Sequence, residues 1–147
     1  MPETEVLARA RKDKREGKAA STQAGEFVRE EIEHIREGKH GARSAKQAIA
    51  IGLSKARRAG VKLPPPEKGT TSKETREQAA RDLRKGKKPA KKTSAKRSRV
   101  MSRVLKREGS SAASKKALSR QARSAAAKRS AASRSRSAKK AAKTRKK

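Results

Sequence analysis

Residues able to do acid–base or metal chemistry are few in this sequence of 147 residues. His34 and His40 are the two histidines, and cysteine, tryptophan and tyrosine are absent. The absence of cysteine excludes disulfides, thiolate metal sites and cysteine nucleophiles. Two histidines without a nearby aspartate are a poor ligand set for a metal ion. We therefore expect no catalytic residue, no metal ligand and no cofactor.

Acidic side chains recur at helical spacing around the first histidine. Glu26, Glu30, Glu33 and Glu37 are expected to form a solvated helix face, from which His34 extends into water. Phosphate-binding glycine loops are absent. A single aromatic residue is too little to enclose a substrate cavity. These features predict that the protein is not an enzyme and takes no small-molecule substrate.

Basic side chains dominate the chain, which holds 45 Lys or Arg against 14 Asp or Glu, a net charge of +31. The excess is uneven: residues 1–37 carry −1, residues 38–83 carry +7 and residues 84–147 carry +25. Lys, Arg, Ala and Ser supply 52 of those last 64 residues. A polycation of this kind binds duplex DNA by replacing condensed counterions, and serine hydroxyls can donate to phosphate oxygens.

The predicted nucleic-acid contacts are four Lys or Arg residues in a helix hairpin and most of the Lys and Arg residues of the C-terminal segment. The hairpin residues are Lys46, Lys55, Arg57 and Arg58. The C-terminal residues are Lys87, Lys88, Lys91, Lys92, Lys96, Arg97, Arg99, Arg103, Lys106, Arg107, Lys115, Lys116, Arg120, Arg123, Lys128, Arg129, Arg134, Arg136, Lys139, Lys140, Lys143, Arg145, Lys146 and Lys147. The same charge permits RNA as a partner, although the aromatic platforms of single-strand readers are missing. An anionic membrane is a weaker candidate, because the segment lacks a bulky apolar face.

Leu, Ile, Val and Phe number 16, about 11 % of the chain, where a value below about 20 % with high net charge is typical of disorder. Only a small helical assembly can be ordered. We predict an all-α fold of short helices, including a helix hairpin, with a largely disordered or conditionally helical basic C-terminal arm. The predicted parts are a polar N-terminal helix (1–20), the amphipathic hairpin (21–63), a proline-containing linker with a short polar helix (64–92) and the cationic arm (93–147).

Local signals mark the ends of the hairpin helices. Ser21 or Thr22 is the expected N-cap of the first helix. Ser44 and Gln47 have the S-x-x-Q spacing of a capping box for the second. Gly52 lies beside the apolar face of that second helix, where it permits close contact between helices.

Prolines and glycines divide the rest of the chain. The prolines at 64–66 end any helix, and Thr71 with Glu74 predicts the start of the next. Glycines recur after basic helix ends at positions 17, 38, 60, 86 and 109, and each is expected to be a left-handed C-cap.

Within the arm, Val100, Met101, Val104 and Leu105 form an apolar cluster among bases. A basic amphipathic helix there has three alternative roles: binding in a major groove, docking on a partner protein, or only stabilising the local helix. No zipper follows it, so a bZIP-type reader is not expected. The run Ser133 to Ser137 offers serines whose phosphorylation would reduce the positive charge.

The segment of residues 26–64 resembles a family of small basic bacterial proteins with an uncharacterised domain, loosely labelled DNA-binding or plasmid stabilisation. Its distinctive part is the stretch from Lys46 to Gly60, KQAIAIGLSKARRAG. The C-terminal composition is similar to the Lys/Ala/Ser-rich arms of histone H1-like proteins. Together these resemblances imply a bacterial, cytoplasmic, nucleoid-associated protein.

The sequence thus predicts a non-enzymatic, histone-like protein that neutralises phosphates and compacts or bridges duplex DNA with little sequence specificity. An adaptor role, in which residues 22–59 bind a protein partner in a plasmid maintenance or repair system, is one alternative. RNA or ribosome association is another. No apolar run reaches the ~18 residues of a membrane span, and the first residues lack the order of a signal peptide.

Overall fold

The computed structural model describes residues 3–89 and 91–146, which form seven α-helices and one short 3-10 helix. The helices are α1 (Thr4–Arg15), α2 (Ala20–Arg36), α3 (Ala45–Arg58), α4 (Lys73–Lys85), α5 (Ala95–Lys106), the 3-10 helix (Ser111–Ala113), α6 (Lys115–Ala127) and α7 (Ala131–Arg145). These described residues contain no strand, only an isolated bridge between Lys68 and Thr71. The predicted all-α fold with a helix hairpin, α2 against α3, is confirmed.

Of the two states predicted for the C-terminal arm, largely disordered or conditionally helical, the disordered one is wrong, because α5, α6 and α7 occupy most of the arm. Alanine, lysine and arginine are strong helix formers. Serine hydroxyls also cap two of these helices: Ser114 accepts from the Ala117 amide and Ser130 from the Ser133 amide. Local propensity and capping therefore oppose the repulsion between the bases.

The first apolar core lies where α1 crosses the hairpin. Val6 and Ala10 of α1 pack with Phe27 of α2 and Ala56 of α3, and Val61 closes the cluster. Phe27 is 1 % exposed. The single aromatic residue thus holds three helices together.

The second apolar core lies at the other end of the hairpin. Ile32 and Ile35 of α2 pack with Ala48 of α3 and with Ala112 and Ala113 of the 3-10 helix. Partly buried Leu118 of α6 lies against the same cluster. A piece of the predicted cationic arm is therefore part of the folded body.

Helix capping follows the sequence signals at some positions only. The Ser44 hydroxyl accepts from the Gln47 amide at 3.2 Å, and the Gln47 side chain accepts from the Arg43 amide at 2.7 Å. The cap of α4 is Ser72 rather than Thr71, and its hydroxyl accepts from the Thr75 amide. For α2 the prediction is wrong, since the helix begins at Ala20 without a side-chain cap.

The expected left-handed glycine occurs at three of the five repeat positions. Gly17, Gly38 and Gly60 have φ of 72°, 77° and 102°. Gly86 and Gly109 lack a positive φ. Gly86 is needed for space instead, because a Cβ there would collide with the Arg57 carbonyl oxygen. The repeat therefore marks helix ends without fixing their backbone conformation.

Helix α4 is joined to α3 by a buried polar group. Asp82 is 2 % exposed, and it accepts from the Ser54 hydroxyl at 2.7 Å and from the Gln78 amide at 3.1 Å. Ala79 is buried on the same side of α4. The helix predicted within a linker thus packs on the hairpin.

Candidate nucleic-acid interface

The basic residues after residue 86 lie on the surface of α5, α6, α7 and their connections. Every predicted contact from Lys87 to Lys146 is exposed. Lys147 lies outside the described residues. In α7, Arg136, Lys139, Lys140 and Lys143 share one face, since residues three and four apart are neighbours on a helix.

Acidic partners for these bases are absent from the part of the chain that the structure describes. No Lys or Arg after Lys73 pairs with a carboxylate there, and Glu108 is the single acid after Asp82. The charge of α5–α7 is therefore not neutralised by any described residue.

The N-terminal helices show the opposite arrangement. Arg9 bridges Glu5 at 2.5 Å and Glu26 at 2.7 Å, and Lys18 contacts Asp13 at 2.8 Å and Glu16 at 2.9 Å. Hydrogen bonds to Asp13 and Glu16 raise the pKa of Lys18 above its ordinary value. Acidic side chains in this half of the molecule are largely paired internally.

Hydrogen bonds anchor the end of α5 and the residues after it to the loop between α2 and α3. The Gly41 amide donates to the Leu105 carbonyl at 2.8 Å, and the Ala42 amide donates to the Gly109 carbonyl at 3.1 Å. Arg36 Nε also donates to the Ala113 carbonyl at 3.0 Å. Sequence reasoning missed this anchor, because the small residues of Ser110–Ser114 give no apolar pattern.

Only two of the four predicted hairpin bases face solvent. Lys46 is exposed, and the Arg58 side chain is 50 % exposed. Lys55 donates to buried Glu31. Arg57 is 6 % exposed and donates to the carbonyls of Leu63 and Pro64, both at 3.2 Å.

Burial lowers the pKa of Arg57 below its ordinary value, and the charge of Asp82 opposes that effect. The role that the structure gives to this guanidinium is to hold the extended segment after Val61 against α3. The guanidinium N–H groups that donate to the Leu63 and Pro64 carbonyls are the donors that binding to a phosphate would require.

The prediction that His34 extends into water is wrong. Its side chain is 14 % exposed, with Nε2 at 3.1 Å from Glu3 Oε1 and Nδ1 at 4.0 Å from Glu31 Oε1. Glu30, expected on a solvated face, is 2 % exposed and accepts from the Glu3 amide at 2.7 Å. The cause is the position of α1 and of the loop at His40, which cover this side of α2.

Two groups of donor atoms on this side of α2 have the composition of a metal site. One contains Glu31, His34 and His40, and the other contains Glu3, Glu30 and His34. In each group one donor atom per residue lies within 4.8 Å of the others. The spacing signal was Glu31-x-x-His34, which places both side chains on one helix face.

Helix α5 presents an apolar face beside its bases. Val100, Met101 and Val104 are 50 %, 53 % and 47 % exposed, whereas Arg99, Arg103 and Lys106 follow one another at helical spacing on the adjacent face. Among the helices of the described residues, none is long and apolar enough to cross a membrane.

Comparison with known proteins finds one match. A family model described as "Family of unknown function (DUF6496)" matches residues 11–68. Comparisons with curated proteins and with solved structures find nothing that matches. The expected similarity to a family with an uncharacterised domain is confirmed over this segment, which runs from within α1 to just beyond the prolines and leaves the basic helices outside the match.

Proposed function

We propose that this protein binds duplex DNA as a non-enzymatic, histone-like protein, with α5–α7 neutralising backbone phosphates. One observation carries the proposal: every described base from Lys87 to Lys146 is exposed and none pairs with a carboxylate. Each phosphate that such a base neutralises releases condensed counterions, which favours binding.

Low sequence specificity follows from how the bases are distributed. They are spread over three helices and their connections rather than gathered at one end of a single helix. Contacts of that kind reach phosphates, which position a protein on the duplex without reading its sequence. The proposed role is accordingly to compact or bridge DNA in a bacterial nucleoid.

Salt-titrated binding to duplexes of random sequence tests the proposal. The test variant replaces Arg136, Lys139, Lys140 and Lys143 with glutamine. Each lost phosphate contact lowers the slope of log K against log salt by about 0.9, so we expect a loss of roughly 3 to 4 from the slope.

A matched control removes the same charge from α1, by replacing the exposed Arg11, Lys12, Lys14 and Arg15 with glutamine. We expect this control to keep most of the slope. Equal losses in both variants would contradict the proposal, because net charge alone would then account for binding. A variant of α7 that binds like the wild type would contradict it as well.

RNA is the second candidate ligand, since the same unpaired charge attracts any polyphosphate. Competition between structured RNA and duplex DNA of equal phosphate concentration, at one salt concentration, decides between them. Preference for DNA supports the leading proposal, and preference for RNA supports ribosome or RNA association.

A protein partner at residues 22–59 stays a prediction. The apolar sides of α2 and α3 are occupied by α1, the 3-10 helix and α6. An adaptor role, including one in plasmid maintenance, would therefore use the polar surface of the hairpin or the exposed face of α5. Binding of one stoichiometric partner that Lys46→Glu abolishes would favour that role over DNA compaction.

A further inference from the structure

The buried carboxylate of Glu31 is half satisfied. Its side chain is 1 % exposed, and Oε1 accepts a hydrogen bond from Lys55 Nζ. Oε2 has no hydrogen-bond partner. Buried carboxylate oxygens are normally paired or bound to a cation. We therefore expect Oε2 to have a second cationic partner.

His40 lies directly beside that oxygen, with Nε2 at 3.1 Å from Glu31 Oε2 but without the geometry of a hydrogen bond. The other ring nitrogen, Nδ1, lies 3.0 Å from the Gly41 carbonyl oxygen. A carbonyl oxygen only accepts, so Nδ1 donates to it, and this contact turns Nε2 towards Glu31 Oε2. Orientation of a histidine by a backbone carbonyl is the usual arrangement behind a metal-bound imidazole.

His34 completes a set of three donors. It follows Glu31 by three residues on α2, and its ring meets the ring of His40 edge to face at a centroid distance of 6.1 Å. The side chains of His34 and His40 are 14 % and 16 % exposed. Two imidazoles and one carboxylate, all mostly buried, therefore converge from α2 and the loop that follows it.

We propose that Glu31, His34 and His40 bind a divalent transition-metal ion of the Zn²⁺ type. Imidazole nitrogen with one carboxylate suits zinc, whereas Mg²⁺ and Ca²⁺ prefer oxygen alone. Metal–ligand bonds of about 2.0–2.2 Å are consistent with donor atoms 3.1 Å apart. The ion would bind between His40 Nε2 and Glu31 Oε2, the oxygen without a hydrogen-bond partner.

The surroundings accommodate added positive charge. Glu30 is buried with Oε2 unpaired, and Glu3 contacts His34. An open cleft of about 190 Å³, lined by Glu3, Glu30 and Lys39 among others, exposes His34 to solvent, although neither Glu31 nor His40 lines it. Lys55 opposes binding because its ammonium lies on the other oxygen of Glu31.

The position of His40 gives the metal a structural consequence. The next two residues, Gly41 and Ala42, are those whose amides hold Leu105 and Gly109. An ion that ties this loop to α2 therefore also stabilises the attachment of the basic helices. This inference does not depend on what α5–α7 bind.

The test is titration of the full-length, chelator-treated protein with Zn²⁺ by calorimetry, and with Co²⁺ by its visible absorption. We expect one ion per chain with a Kd below about 100 μM. His40→Gln and Glu31→Gln should each weaken binding at least tenfold. Glu33→Gln, on the exposed side of the same helix, is the matched control and should leave binding unchanged. Glu30→Gln separates the two donor groups: it removes a neighbouring charge but no ligand, so it should weaken binding less than His40→Gln does.

Lys55→Met keeps the test decisive if the Glu31 variant fails to fold. Removing the ammonium frees the Glu31 carboxylate, so we expect binding about tenfold tighter than in the wild type. An unchanged or weaker affinity in this variant would overturn the proposal. Binding that survives His40→Gln, or no binding at about 1 mM Zn²⁺, would overturn it too.

Discussion

The backbone of α3 at Gly52 lies against the backbone of α2 at Val28: a Cβ placed on Gly52 would lie 2.6 Å from Val28 Cα. Real Cβ atoms do not approach a backbone atom so closely, so the hairpin requires glycine at this position. The contact sets the separation of the two helices that support both apolar cores.

Gly52→Ala should therefore destabilise the fold although alanine is the better helix former. We expect a loss of about 1–3 kcal/mol, the usual cost of overpacking, measured by urea unfolding. Gly25→Ala is the control, because it lies within α2 with nothing within 4 Å of the added Cβ. That control should gain about 0.5–1 kcal/mol; equal responses at the two positions would contradict the close contact.

Ser44→Ala tests the cap of α3. Loss of the hydroxyl leaves the Gln47 amide without its partner, and we expect a cost of about 1 kcal/mol in the free energy of unfolding. Ser21→Ala, at an exposed position inside α2, should change stability by less than about 0.5 kcal/mol. A larger loss of stability from Ser21→Ala than from Ser44→Ala would contradict this and would support Ser21 as the N-cap of α2, as the sequence alone suggested.

Ala113→Asp tests the anchor of the basic helices. Ala113 is 1 % exposed, so a buried carboxylate there should displace the 3-10 helix at a cost of about 1–3 kcal/mol or more. Amide hydrogen exchange should speed up in residues 105–118 and stay slow in the first core. Ala122→Asp, which adds the same charge at an exposed position of α6, should leave the exchange pattern intact.

The ion pair of Lys18 with Glu16 predicts a pH dependence of stability. The hydrogen bond from Lys18 lowers the pKa of Glu16 below its ordinary value of 4.5. A lowered folded-state pKa stabilises the fold above the unfolded pKa, and that contribution is lost as the pH falls below about 4.5. Glu16→Gln should flatten this part of the curve. Because the pair is exposed, high salt should shrink the difference between the two proteins; persistence of the full difference would contradict the assignment.

Lys46 and Lys55 should behave differently in DNA binding, although both were predicted contacts. Exposed Lys46 is free to meet a phosphate, so Lys46→Gln should lower the salt slope by about 0.9. Lys55 is engaged with Glu31, and its replacement by glutamine should lower stability and leave the slope unchanged. A slope that falls only with Lys55 would reverse the assignment of these two bases.

The helices were predictable because their signals are local. Ser44 with Gln47, the prolines at 64–66 and the apolar spacing around Phe27 act within a few residues of one another, and the structure has helices where they indicate. The cap of α2 was missed because packing of Ala20 against the first core outweighs the capping preference of Ser21. Propensity is a weak prior against such burial.

The site was less predictable because it depends on contacts distant in sequence. Composition identified the bases of α5–α7 but not the burial of Ala112 and Ala113, since two alanines among serines and lysines give no apolar pattern. The surroundings of Glu31 depend on Lys55 and His40, which come from the following helix and loop. Sequence spacing alone placed Glu30 and His34 on a solvated helix face and Lys55 among the nucleic-acid contacts.

Attachment at two points divides the cationic region into segments of different topology. Gly86 lies against α3 and Leu105 against the loop after α2, so residues 87–89 and 91–104 lie in a strap attached on both sides, whereas α7 follows the last attachment, at Leu118. Two basic segments joined to the same folded body act as a bivalent binder. Once one segment has bound a duplex, the other segment meets that duplex at a high effective concentration. If the protein binds DNA as proposed, its affinity depends on the spacing between the strap and α7 as well as on their charge. One molecule could then bridge two duplexes without forming a dimer.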